Sequence, residues 1–221
     1  MTIQEAMKAR HSVRSYLDKP IEKEKIAVLE MEIAACNQES GLHIQLVTEE
    51  PKAFDSFMAH YGKFSGVKNY IAMIGPKGDD LDEKLGYYGE RLVLLAQTLG
   101  LNTCWVALTF SKGKVPAKIE KGEKMVCVIP VGYGVTQGVA HKSKPMDSLC
   151  DVQGEKPEWF KNGMEAAILA PTATNQQKFL FSLENGRVNA KATEGFYSKV
   201  DLGIVKYHFE IGAGKDSFAW K

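Results

Sequence analysis

The chain contains no run of about eighteen apolar residues, so no transmembrane helix is expected. Its first ten residues, Met1 to Arg10, are polar and mixed in charge and lack the apolar stretch of a signal peptide. Neither sign of charge dominates: 28 Lys and Arg stand against 27 Asp and Glu, for a formal net charge of +1. A dedicated nucleic-acid binder shows a basic excess, so no nucleic-acid partner is expected. Cysteine is sparse and scattered, at Cys36, Cys104, Cys127 and Cys150, with no CxxC pair and no Cys/His cluster. That excludes the usual zinc and thiol-redox motifs. Three of the four sit among apolar or small residues, as buried reduced thiols of a cytoplasmic protein do.

What is present is ordinary globular material. The 221 residues are 44% hydrophobic and 25% charged, which rules out long disorder and fibrous repeats. That length allows one large domain or two small ones. Apolar spacing predicts a short helix in Ile3–Ser15 that ends near His11. Pro20 is placed to open the next helix, whose face is Ile26, Leu29 and Ile33. HIQLVT (43–48) and YIAMI (70–74) read as strands, the second closed by Gly75-Pro76. Gly89 to Gly100 reads as a helix on the spacing of Leu92, Leu95, Ala96 and Leu99, with Gly100 as its cap. KMVCVIPVG (124–132) is an apolar run suited to a central strand. Residues 134–157 are polar and read as a loop, and 157–170 as a helix. Phe179–Glu184 and Arg187–Ala192 flank Asn185-Gly186, the pattern of a hairpin with a type I′ turn. Asp201–Gly212 reads as the last helix.

The order helix, Asn-Gln, strand, glycine-bounded helix, Trp occurs twice. Asn37-Gln38, Gly89, Gly100 and Trp105 are echoed by Asn175-Gln176, Gly203, Gly214 and Trp220. A diverged duplication and a chance echo both fit. A duplication would let one chain do what a symmetric homodimer does with two.

Three segments carry chemistry. Arg10-His11-Ser12-Val13-Arg14 places two guanidinia and a hydroxyl within five residues, a donor set suited to phosphate oxygens, or simply a solvated basic turn. His141-Lys142-Ser143-Lys144 is a second basic cluster. Ala170-Pro171-Thr172-Ala173-Thr174-Asn175-Gln176 joins a helix to a strand, and its short amides and hydroxyls could contact a flat heteroaromatic ring. Other features read as structural. His208 suits a core position, Trp105 and Trp220 suit packing, and Asp79–Glu83 suits a solvated loop. FSGV (64–67) is open to reading as a lid or as packing. Gly132-Tyr133-Gly134 is not a dinucleotide fingerprint.

Together these segments resemble the nitroreductase family of FMN-dependent flavoproteins. RHSVRSY is similar to that family's Arg-x-Ser-x-Arg phosphate motif. GERLVLLAQTLGLNTCWV resembles its central helix and glycine turn, and VGYG…HKSKPMDSL its closing segment. APTATNQQKF resembles its Ala-Pro-Ser-x-x-Asn-x-Gln-Pro motif, with Thr172 for Ser. The resemblance implies an α+β nitroreductase-like fold, a mixed sheet flanked by helices, with two diverged half-units around a pseudo-two-fold. It divides the chain into 1–150, which carries the phosphate arm, and 151–221, which stands in for a dimer partner within one integrated unit. The first half has only Ala35-Cys36-Asn37-Gln38-Glu39 where Pro-Ser-x-x-Asn is expected, and the second half has no Arg-x-Ser-x-Arg. One FMN per chain follows.

The resemblance assigns FMN contacts to Arg10, His11, Ser12 and Arg14, to a strand Trp105-Val106-Ala107-Leu108, to Lys142 and Lys144, and to Pro171, Thr172 and Asn175. Ala107-Leu108 departs from the Glu-Gly many members carry. No catalytic side chain and no metal ligand is named. NADH or NADPH would reduce the flavin, and a nitroaromatic, quinone or similar small molecule would reoxidise it in a ping-pong cycle. A dehalogenase, an enone reductase or a non-enzymatic FMN-binding protein remain alternatives. The protein would be a monomer, as a pseudo-dimer, or a homodimer.

Overall fold

The computed structural model describes residues 1–55 and 57–221, with Met58 and His60 described in their backbone alone. The chain divides into two compact units, one of residues 1–81 and 92–140, the other of residues 82–91 and 141–221. The class is the mixed α+β one expected, with its strands in two four-stranded sheets.

In the first unit, helix α1 (Ile3–Ala9) opens on a capping box. Thr2 Oγ1 accepts from the Glu5 amide at 3.1 Å, and Glu5 Oε2 accepts from the Thr2 amide at 2.8 Å. The helix stops two residues short of the expected His11, because Arg10 is already extended and Val13 N–H donates to the Thr103 carbonyl at 3.0 Å. Helix α2 (Lys23–Ser40) begins three residues after Pro20, with Glu22 as its N-cap. The chain before it is still engaged elsewhere, since Leu17 N–H donates to the Tyr133 carbonyl. Gly41, at φ +72°, caps the other end.

The sheet of this unit is antiparallel. Its order is β1 (Gln45–Val47), β2 (Tyr70–Pro76), β4 (Glu123–Gly132) and β3 (Asn102–Thr103). Strand β4 is interior, which is why Met125 to Gly132 are buried without alternation. Gly75-Pro76, expected to close β2, are its last residues and pair with Lys124 and Glu123. The core gathers Tyr16, Phe54, Phe64, Tyr70 and Phe110, with Phe54 and Phe110 stacked at 6.1 Å. A five-residue helix α3 (Phe57–Tyr61) leaves Phe57 and Tyr61 exposed.

Helix α4 (Leu81–Thr98) starts eight residues before Gly89. The acidic run expected as a loop therefore supplies its first turn: Asp82 and Glu83 sit where the helix dipole favours negative charge. Of the four glycines of the echo, Gly89 and Gly203 lie inside helices, and Gly100 and Gly214 follow helix ends.

In the second unit the sheet is mixed, in the order β5 (Cys150–Asp151), β6 (Phe179–Glu184), β7 (Arg187–Ala192), β8 (Ala219–Trp220). Strands β6 and β7 pair antiparallel across Asn185-Gly186, whose φ values of 51° and 76° are those of the expected type I′ turn. Helix α6 (Ser198–Ala213) packs on it, and helix α5 (Glu158–Ile168) packs on α6. Their core is aromatic: Phe209 stacks on Phe181 at 4.8 Å and meets Phe160, Phe218 and Trp220 edge-on or tilted. Trp220 is thus a packing residue, as read from the sequence.

Candidate functional site

The Arg-x-Ser-x-Arg stretch of the first unit is an extended ribbon held on both sides by backbone hydrogen bonds. Ser12 bridges to Thr103 in parallel, Ser65 N–H donates to the Arg14 carbonyl, and Tyr16 N–H donates to the Ser65 carbonyl. Val135 N–H donates to the Ser15 carbonyl at 2.9 Å. Val13 and Tyr16 are buried and anchor the ribbon by their side chains, with the Tyr16 hydroxyl donating to the Val13 carbonyl at 2.8 Å. FSGV is therefore scaffold for this ribbon rather than a lid: Phe64 and Val67 are buried, and Ser65 pairs with it.

Along the ribbon Arg10 is buried, His11 and Ser12 are half-buried and Arg14 is exposed. The ribbon pairs with Thr103, the residue before the buried Cys104. The Cys104 thiol is pushed up by burial, while the charge of Arg14, a hydrogen bond with Ser12 and the charge of Arg10 pull it down. Gly138 packs against the same ribbon at φ +72°, where an added Cβ would lie 2.7 Å from His11 Cβ and 3.0 Å from the Ser12 carbonyl oxygen. Residues 10–17 include no carboxylate.

The expected strand Trp105–Leu108 is not one. Strand β3 is Asn102–Thr103, and beyond it Val106 alone pairs with Val128, by hydrogen bonds of 3.0 and 2.9 Å. Ala107 to Phe110 bend away because Phe110 is drawn into the core onto Phe54. Trp105 and Ala107 are half-buried, Val106 is buried and Leu108 is 67% exposed.

The remaining expected residues form a cluster of their own in the second unit. Pro171 is buried. Thr172 Oγ1 accepts from the Gln177 amide at 3.0 Å. Asn175 Nδ2 donates to the Lys142 carbonyl at 2.9 Å, and Lys144 Nζ donates to the carbonyls of Gln176 and Gln177. Thr174, Asn175 and Gln177 have φ of 50°, 55° and 48°, which costs each on the order of 1 kcal/mol or more. Sequence reading missed Asp201, which braces this turn. Its buried carboxylate accepts from Ala173 N–H at 2.9 Å and from Gln176 Nε2 at 2.8 Å. Burial lifts it to about 6, against the pull of those two hydrogen bonds. A polar residue at the fourth position of an apolar helix was the signal.

Among the described residues no group of three or more His, Cys, Asp or Glu could hold a metal. Among the described residues no helix is long and apolar enough to cross a membrane.

A "putative nitroreductase" of Thermotoga maritima shares 23% identity with this chain over 98% of it and 85% of the other, with a TM-score of 0.68. A "putative nitroreductase in complex with FMN" from Desulfovibrio desulfuricans shares 19%, over 71% of this chain and 98% of the other, with a TM-score of 0.54. A "putative NADH dehydrogenase/NAD(P)H nitroreductase" of Bacteroides thetaiotaomicron shares 21%, over 66% and 95%, with a TM-score of 0.51. At these identities the likeness is one of fold. No curated protein matches. Residues 2–213 match the family described as "Putative TM nitroreductase", so the chain belongs to this nitroreductase family.

Proposed function

We propose that the protein is an FMN-dependent oxidoreductase that takes electrons from NADH or NADPH and passes them to a nitroaromatic, quinone or similar acceptor. The observation that carries this reading is one extended ribbon, held by backbone pairing at Thr103 and Ser65, that bears Arg10, Ser12 and Arg14 and no carboxylate, in a chain of the nitroreductase family. Two guanidinia and a hydroxyl are the donor set that a phosphate of charge about −1.5 to −2 requires. The donors fit the phosphate of FMN, and the FMN-bound Desulfovibrio relative has the same fold.

When bound, FMN would accept and release hydride equivalents. The chain's own work is to hold it. Arg10, Ser12 and Arg14 would bind the phosphate, and the ribbon's backbone pairing fixes those donors before the ligand arrives. His11 and residues 105–108 would contact the rest of the cofactor. No described side chain is assigned the role of acid or base. Lys142, Lys144, Pro171, Thr172 and Asn175 are assigned to FMN on the family resemblance, and their substitution is a separate test. One FMN per chain follows from the lack of a second Arg-x-Ser-x-Arg stretch.

The test is the visible spectrum of the purified protein before and after anaerobic NADH or NADPH. A flavin spectrum that bleaches and returns with a nitroaromatic is the expected result. A protein that takes up no added FMN would overturn the reading, and bound flavin that neither nicotinamide reduces would overturn its electron donor.

A further inference from the structure

We propose that Asp201 is a positioning residue: its buried carboxylate fixes the left-handed shape of the Thr172–Gln177 turn, and so the shape that this turn presents to FMN. The flavin half of this inference rests on the function proposed above. The anchoring half stands on geometry alone.

Three of the turn's residues hold positive φ without being glycine, and Thr174 is β-branched as well. Such backbone persists only where its surroundings over-determine it. Within the turn the hydrogen bonds are local: Asn175 N–H to the Thr172 carbonyl, Gln176 N–H to the Ala173 carbonyl, and Gln177 N–H to Thr172 Oγ1. These close the turn but do not tie it to the helix. Asp201 does that. One oxygen takes the Ala173 amide and the other takes Gln176 Nε2, whose second proton goes to the Phe196 carbonyl at 2.7 Å. The Gln176 amide thus bridges the turn, the residue before Tyr197 and helix α6. Tyr197, the N-cap of that helix, is itself left-handed at φ 55°.

The anchor is a carboxylate held where charge is disfavoured. Burial raises it to about 6 from an ordinary 3.8, and the two hydrogen bonds only partly offset this. The charged groups on the surrounding elements include Lys144 and Lys178 beside the turn, Glu194 and Lys199 beside Phe196–Tyr197, and Glu165 on α5. The shift is set by burial and the two hydrogen bonds rather than by these charges. The sign follows by linkage. If opening the turn returns Asp201 to water, its carboxyl returns towards 3.8, so the closed turn binds the proton more tightly than the open one. The turn is then tightest below about 3.8 and opens more readily as pH rises from there through 6, with about tenfold of that change falling between pH 5 and pH 8.

The experiment is amide hydrogen exchange at Ala173 and Asn175–Gln177 across that range, corrected for intrinsic rates, on wild type, Asp201→Asn and Gln176→Ala. Wild type should show the rise in opening, and Asp201→Asn, which cannot ionise, should show none. Gln176→Ala should open the turn about three- to tenfold more readily at every pH, and stands in should Asp201→Asn not fold. A pH dependence retained in Asp201→Asn, or a turn unchanged in Gln176→Ala, overturns the anchor. FMN affinity, read by quenching of free flavin fluorescence, decides the second half. Gln176→Ala should bind FMN several-fold more weakly than wild type. Equal affinity in both proteins overturns the positioning role and leaves the function standing. No binding by wild type overturns the proposed function and the positioning role together.

Discussion

Nε2 of His208 lies 2.9 Å from Oε1 of Glu90, and both side chains are fully buried in the second unit. The other ring nitrogen, Nδ1, lies 3.0 Å from the Ala166 carbonyl. A carbonyl only accepts, so Nδ1 carries a proton, and the imidazole and the carboxyl share the next one. Whichever holds it, removing Glu90 leaves a buried Nε2 without that partner. Glu90→Ala should cost about 3–5 kcal/mol in urea unfolding, while Glu90→Gln, which keeps a polar atom in place, should cost about 1–2 kcal/mol.

Glycines differ in why they are needed, and alanine substitution separates the reasons. At Gly203 an added Cβ would meet the Glu83 carbonyl oxygen at 1.9 Å and the Tyr87 nitrogen at 2.5 Å, both backbone of α4. Gly203→Ala should therefore lower stability by about 3 kcal/mol or more, since a helix must shift. At Gly186 nothing lies within 4 Å of such a Cβ, and only the φ of +76° objects. Gly186→Ala should cost about 1–2 kcal/mol. Thermal denaturation of the two variants checks the order.

The phosphate arm predicts a loss of cofactor without a loss of fold. Arg14 is exposed, and Arg14→Ala should weaken FMN binding about ten- to a hundredfold, the worth of one charged hydrogen bond, with the melting temperature of the apoprotein unchanged. Arg10→Ala should weaken it as much, and should also disturb the buried surroundings of Arg10. Flavin fluorescence titration of both variants reads the effect.

Tyr133 controls the protonation of Glu22 at the start of α2. The hydrogen bond from its hydroxyl, with lesser help from the Glu22 amide and Lys25, holds the carboxyl down at about 2. Because the folded value is depressed, the stabilisation is present above about 4.5 and is lost as pH falls towards 2. Tyr133→Phe should move the Glu22 midpoint up from about 2 towards the ordinary 4.5, which a carboxyl-carbon NMR titration would resolve.

Legibility in the sequence followed the range of the forces involved. The β6–β7 hairpin was readable to the residue because Asn185-Gly186 encodes its turn locally. Strand β4 was readable from its continuous apolar run. The start of α4 was not, because the apolar spacing of Leu92 to Leu99 marks only its later turns and the acidic run before Gly89 suited a loop. Gly86 is there because a Cβ would meet the Val200 carbonyl oxygen at 2.0 Å, a tertiary fact no local pattern carries. The bend at Ala107–Phe110 was likewise set by a distant ring, Phe54. In the candidate site Arg10, Ser12 and Arg14 stood out as a motif, whereas Asp201 lies 28 residues from the amide it holds and matched no motif.

The four cysteines, all buried and none in a disulfide, give the molecule a set of internal clocks. Cys36, Cys104 and Cys127 belong to the first unit and Cys150 to the second. A thiol must reach solvent and ionise before it can be alkylated, and burial pushes Cys104 and Cys150 away from ionisation. Each labelling rate is therefore a local opening rate. Cys150 reports one unit and the other three report its neighbour. Cys104 follows Thr103, which pairs with the ribbon at Ser12, so a ligand seated on Arg10, Ser12 and Arg14 would slow that clock first.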